Sequence, residues 1–233
     1  MNINLNSKES IYLLGYFWAD CSFSRSDNAR RFQFEIKTED FLNIWPLIKE
    51  IGFEKYATRF RKNSKNSQSS ICLNKYEKLE ILEKLNFDKR IEGCCFYENI
   101  SEELKPFFIK GFLDGDGSIS LDKNNSFRVC FNGPKNQNWN FLISFCDSFG
   151  IEYAIYRKER PSHHESHKKQ IHTYSVFEFT NIRNRLKFCE SISAASGVGL
   201  SRKWKVYEQY KFKRQEKQIQ KINCKRFASG IAA

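Results

Sequence analysis

The chain has 233 residues, 40% hydrophobic and 15% aromatic, with 22 Phe against four Pro. That is enough apolar material for one large core or two small ones, and it excludes a disordered tail. Lys and Arg outnumber Asp and Glu by 39 to 27, a formal charge of +12, which points to a polyanionic partner, nucleic acid or an anionic membrane surface.

In chain order, the first ten residues carry neither the basic region nor the apolar run of a secretory signal. Tyr12–Ser24 opens with a helical stretch, followed by a short strand at 22–25 and a turn around Ser26-Asp27-Asn28. Arg31–Lys37 alternates polar and apolar residues, the mark of a half-buried strand. Phe41–Ile51 has helical spacing, with Asp40 as cap and Gly52 as terminator. Strands are expected at 56–61 and 69–73, then a helix at 75–85 capped by Asn74. The second half repeats this order: strands at 118–121 and 127–132, a helix at 138–149 ending at Gly150, strands at 153–158 and 173–179, and helices at 182–193 and 202–220. The fold class is therefore α+β, two tandem α-β-β-α-β-β-α halves with helices on one face of each sheet. Boundaries fall at 1–100 for the first half, 101–212 for the second and 213–233 for a basic tail.

No apolar run is long enough to span a bilayer. Nucleic acid is thus the expected partner, with no membrane, and the expected location is intracellular: a bacterial or phage-infected cytoplasm, or an organelle matrix. The competing reading of the charge is simple solubility. The eight cysteines contain no CxxC pair, and adjacent Cys94 and Cys95 cannot both be ordinary tetrahedral ligands. All four histidines fall between Arg160 and His172, in a segment with the composition of an exposed basic hairpin loop.

Tyr12-Leu-Leu-Gly-Tyr-Phe-Trp-Ala-Asp-Cys-Ser-Phe-Ser24 and Phe108-Ile-Lys-Gly-Phe-Leu-Asp-Gly-Asp-Gly-Ser-Ile-Ser120 are two copies of one pattern, with Asp20 and Asp116 separated by 96 positions. Gly15 and Ala19 are four apart, as are Gly111 and Gly115, so each pair lies on one helix face and permits close backbone approach. Gly inside a helix costs roughly 1 kcal/mol against Ala. Packing of the two equivalent helices accounts for that cost and brings Asp20 and Asp116 together. Adjacent carboxylates repel. A divalent cation resolves the repulsion and supplies what phosphodiester hydrolysis needs. For an isolated Asp, simple capping is the competing reading.

The segments Leu13–Cys21 and Ile109–Gly117 resemble the two motifs of a LAGLIDADG homing endonuclease in its single-chain, two-motif form, the second more closely than the first. The resemblance covers about residues 9–210. It implies motif helices at the domain interface and a monomer with internal pseudo-twofold symmetry, whose two antiparallel sheets form a saddle for double-stranded DNA. It also implies that Asp20 and Asp116 bind catalytic metal with the carbonyls of Ala19 and Gly115, the metal being Mg²⁺ with Mn²⁺ as substitute. Lys203 and Lys89 fall where the family places a water-organising base, with Arg90 competing with Lys89. Glu35 and Asn132 fall where it often has a central polar residue. Two departures stand out. Cys21 replaces the final Gly, and Trp18 stands where the second motif has Asp114.

The polar sheet faces are the expected DNA surface. In the first half the contacting residues are Arg25, Arg30, Arg31, Gln33, Glu35, Lys37, Arg59, Arg61 and Lys62. In the second they are Lys123, Arg128, Asn132, Lys135, Lys158, Arg160 and Lys168. Any one of them could equally be a solvated surface residue. The functional expectation is a sequence-specific, metal-dependent endonuclease of intron-homing type acting on a long duplex site. The alternatives are a strand-specific nickase and a non-cleaving DNA-binding regulator or RNA maturase.

Overall fold

A computed structural model describes residues 4–26, 29–54, 68–73, 79, 82–87, 92–161, 171–193, 195 and 197–228. Ser7 caps α1 (Lys8–Asp20) by accepting a hydrogen bond from the Ser10 amide, and Cys21 leaves the helix directly in extended backbone. The chain thus passes without a loop into β1 (Cys21–Ser26), and β2 (Ala29–Lys37) pairs with it. α2 (Thr38–Glu50) follows at once, and β3 (Gln68–Leu73) completes an antiparallel sheet of order β1-β2-β3 among the described residues.

The second half opens with α3 (Lys105–Gly115), which has Pro106 in its first turn, where a missing N–H costs nothing. It continues through β4 (Gly117–Leu121), β5 (Phe127–Pro134), α4 (Asn140–Ser148), β6 (Tyr153–Pro161) and β7 (Ile171–Phe179). These strands pair antiparallel in the order β4-β5-β7-β6. α5 (Ile182–Ser193) and the long α6 (Ser201–Ala228) close the chain. The α+β architecture with two antiparallel sheets agrees with the sequence reading. The strand expected at 56–61, the Asn74 cap and most of the helix expected at 75–85 lie outside the described residues.

Alternation orients both sheets. Phe32, Phe34 and Ile36 are buried while Arg31 and Lys37 are exposed, and Phe127, Val129 and Phe131 are buried while Arg128 and Asn132 are exposed. Between sheets and helices lies an aromatic core in which Phe17 stacks on Phe53 and Phe112 on Phe131. α2 and α4 end alike. Gly52 (φ 75°) and Gly150 (φ 56°) turn the chain into left-handed backbone, and the next amides, Phe53 and Ile151, return to the carbonyls of Ile48 and Cys146 at 2.9 Å.

Asp40 does not cap α2. The helix starts earlier, straight off β2, so Asp40 falls in its first turn and makes a different bond. It is buried and takes a forked ion pair from Arg202 of α6, with N–O distances of 2.8–3.0 Å. This pair ties the first half to the last helix.

Candidate functional site

The centre of the molecule is the contact between α1 and α3. A Cβ on Gly15 would stand 2.0 Å from the carbonyl oxygen of Phe108, and a Cβ on Gly111 2.0 Å from that of Tyr12. Tyr12 precedes Gly15 by three residues, as Phe108 precedes Gly111, so the contact is reciprocal about a local twofold. One turn on, a Cβ on Gly115 would meet the Ala19 Cβ at 2.3 Å. The small residues are there because the two backbones touch.

This approach brings the acidic ends together. The Asp20 carboxylate comes within 3.3 Å of the place a Gly115 Cβ would occupy, and Asp116 follows directly as the C-cap of α3, its amide donating to Phe112 at 3.1 Å. Asp20 is exposed and Asp116 half-buried. Both sit at carboxyl ends of helices, where the helix dipoles add negative potential and favour a cation. The donors at hand are the two carboxylates and the carbonyls of Ala19 and Gly115. All are hard oxygens, a set that suits Mg²⁺ or Mn²⁺ and not a thiophilic metal. Among the described residues no three His, Cys, Asp or Glu converge as a metal cluster.

Asp116, Trp18 and Ala19 form one wall of a cleft of about 520 Å³. Asn132, Gly133 and Pro134 of β5, Gln137, Arg160 of β6 and Tyr174 of β7 form the rest. The structure thus gathers four expected residues, Ala19, Asp116, Asn132 and Arg160, in one cavity. It adds Gln137 and Tyr174, which the sequence reading passed over; the Arg160 guanidinium lies 5.4 Å from the Tyr174 ring centroid. Tyr174 was legible as an outward position on an alternating strand, on the face opposite Phe177 and Phe179, whereas Gln137 lies in a turn with no periodic signal.

Lys203 lies beneath the end of α3 and does not line the cleft. Its ammonium donates to the carbonyls of Leu113 (2.8 Å), Asp114, Gly115 (3.1 Å) and Gly117 (2.7 Å). These include carbonyls that α3 leaves without helical donors, so Lys203 caps the turn that carries Asp116. Burial pulls its pKa down to about 8, against the raising effect of Asp114. Gly115 still has a second lone pair for another ligand.

Asp114, the counterpart of Trp18, is a buried strut. One carboxylate oxygen accepts from the Tyr12 hydroxyl at 2.8 Å and from the Leu200 amide at 2.9 Å, while the other is buried with no hydrogen-bond partner among the described residues. Burial pushes its carboxyl up to about 6, and these two donors hold it back from rising further. Trp18 is instead packed edge-on against the stacked rings of Phe87 and Phe96. A carboxylate in a buried helix face four residues after Lys110 was the available signal for this role.

On the first sheet, Arg31, Gln33, Glu35 and Lys37 share the face away from the helices, paired with Ser24, Ser22, Ser70 and Gln68. Gln33 donates to Glu35 at 2.9 Å. On the second, Arg128, Asn132 and Lys158 share the corresponding face with Tyr174, and Lys135 is exposed just beyond β5. Lys123 is exposed in the turn at the far end of β4, five residues of strand from Asp116 and so about 16 Å away. Arg59, Arg61, Lys62, Lys89 and Lys168, with the side chains of Arg25 and Arg30, lie outside the described residues.

The family model for LAGLIDADG-like domains matches residues 103–193. The sequence likeness to that family is carried by this segment, which contains the second motif. Over 93% of its length the chain shares the fold of solved LAGLIDADG homing endonucleases. The LAGLIDADG homing endonuclease I-LtrWI, solved bound to target DNA, superposes with a TM-score of 0.53 at 13% identity, over 93% of this chain and 92% of that one. I-SmaMI, bound to uncleaved target in the presence of calcium, gives 0.51 at 15% identity, over 93% of each chain. At such identities the likeness is one of fold. An uncharacterized protein of Methanocaldococcus jannaschii is 27% identical over 164 residues, which span 66% of this chain and 59% of that relative's length. Among the described residues no helix is long and apolar enough to cross a membrane.

Proposed function

We propose that the chain is an intracellular, divalent-metal-dependent endonuclease that hydrolyses phosphodiester bonds in double-stranded DNA at a long recognition site. It would act as a monomer of two halves, 1–100 and 101–212, followed by a basic tail from 213. The observation that carries this reading is the glycine contact between α1 and α3, which sets Asp20 against Gly115 and so beside Asp116. Asp20 and Asp116 hold the metal with the carbonyls of Ala19 and Gly115. Mg²⁺ is the proposed ion and Mn²⁺ its substitute. When bound, the metal supplies an activated water and neutralises charge on the attacked phosphate and leaving oxygen. Lys203 holds the α3 terminus, and hence Asp116, in place. Arg160 and Asn132, on the cleft wall, reach the phosphate near the scissile bond. The exposed residues of both sheet faces hold the flanking duplex. The DNA in the I-LtrWI and I-SmaMI structures supports the substrate class.

A second reading, cleavage of one strand only, is favoured by the inequality of the two ends. Asp116 is half-buried above the Lys203 ammonium, whereas Asp20 is exposed and follows an aromatic-packed Trp18.

The test selects duplexes from a randomised library in Ca²⁺, adds Mg²⁺ and maps breaks on each strand, for the chain and for Asp20→Asn and Asp116→Asn. Offset breaks on both strands, lost in either variant, are the expected result. A break on one strand would establish the nickase. Binding with no break would replace the nuclease by a regulator or RNA maturase, and full cleavage by the double variant would sink the acidic-pair mechanism.

A further inference from the structure

Helix α6 begins inside the fold and ends outside it. Lys203 contacts Gly117 at the start of β4, and Tyr210 stacks on Phe127, which pairs with Leu121 at the end of β4. The helix therefore runs along β4, away from Asp116, and leaves the sheet beyond the 122–125 turn. Lys203 and Tyr207 are buried, and Tyr210 is packed against the core. Continuing the same alternation of four and three residues, Arg214, Lys217 and Lys221 occupy the same helix face.

Every residue from Lys211 to Ile222 is exposed. The face that packs on the sheet thus becomes a row of cations where the sheet ends. This stretch carries Lys211, Lys213, Arg214, Lys217 and Lys221 against Glu216 alone, and it extends roughly 18 Å at about 1.5 Å per residue. Like charges three and four apart cost a helix a few tenths of a kcal/mol per pair, so an external counter-charge would stabilise the row.

We propose that this projecting face binds the phosphate backbone of duplex DNA beyond the C-terminal sheet and lengthens the footprint on that side. The inference rests on duplex DNA being the partner of the sheets. The adjacent exposed Phe212, Ile219 and Ile222 are not part of it; they would serve a second copy of the chain if the helix were a dimerisation element.

The full chain and the triple variant Arg214→Gln, Lys217→Gln, Lys221→Gln are titrated with a mixed-sequence duplex several helical turns long, in Ca²⁺, over a range of salt. The substituted side chains are exposed and glutamine is a good helix former, so circular dichroism should match. The slope of log K against log salt should fall by about 2 to 3 in the triple variant, near 0.9 per lost phosphate contact. Arg214→Lys should keep it. An unchanged slope with retained binding overturns the inference and leaves the sheet-binding reading standing. Absence of binding by the full chain overturns both. A dimer in sedimentation that Phe212→Ser with Ile219→Ser dissociates, together with an unchanged slope in the triple variant, assigns the helix to a second copy and likewise overturns it.

Discussion

At the residue scale, equivalent positions of a duplicated motif have taken opposite chemistry. Trp18 is packed among aromatics, while Asp114 is buried with the Tyr12 hydroxyl and the Leu200 amide on one oxygen. Because the Asp114 carboxyl is pushed by burial from the usual 3.8 up to about 6, the folded state holds this proton after the unfolded chain has released it. Stability from this group is therefore greatest at low pH and falls as pH rises from about 4 through about 6. Asp114→Asn should flatten that segment of the stability curve, measured by urea denaturation at several pH values. The Asp40–Arg202 pair works differently. Arg202→Ala leaves a carboxylate that is only 2% exposed without its forked partner. Since the Arg202 side chain is 45% exposed, water relieves some of the loss, and a destabilisation of about 2 kcal/mol is expected, below the roughly 3–5 kcal/mol of a fully buried broken pair. A double cycle with Asp40→Asn would give the coupling.

At the element scale, the α1–α3 contact holds the halves together. Gly15→Ala or Gly111→Ala would drive a methyl to 2.0 Å from a carbonyl oxygen of the facing helix. Neither backbone can yield without separating the helices, so each should cost about 3 kcal/mol or prevent folding. Gly52→Ala, at φ 75°, should cost only about 1 kcal/mol, because the strain stays within one turn. Urea midpoints of the variants should rank in that order, and equal midpoints would contradict the close contact. Most elements were legible because their signals are local: strand alternation, helical spacing, and Gly after the last turn. The start of α2 was misread because Asp40 suits a cap by type, and chain proximity carried no sign of Arg202, 162 positions away.

At the scale of the whole molecule, the chain carries a charge of +12, and among the described residues exposed cations lie on both sheet faces and on the free end of α6. If these surfaces bind DNA together, affinity for a duplex should fall steeply between low and physiological salt, with a slope of about −0.9 for each phosphate contacted. A flat response would remove the sheets from the interface. The amino-acid sequence by itself determined the duplication, the α+β order of elements, the polar and apolar faces of the strands, and the two acidic residues at equivalent positions. Each of these is written in spacings that near neighbours along the chain enforce. Only the tertiary structure decided that Lys203 lies under the end of α3, that Asp114 is a strut shared by Tyr12 and Leu200, that Arg202 clamps Asp40, and that Arg160 and Tyr174 wall the cleft beside Asp116. Those pairings depend on distances in space between residues far apart in the chain, and burial strengthens those of Lys203, Asp114 and Asp40.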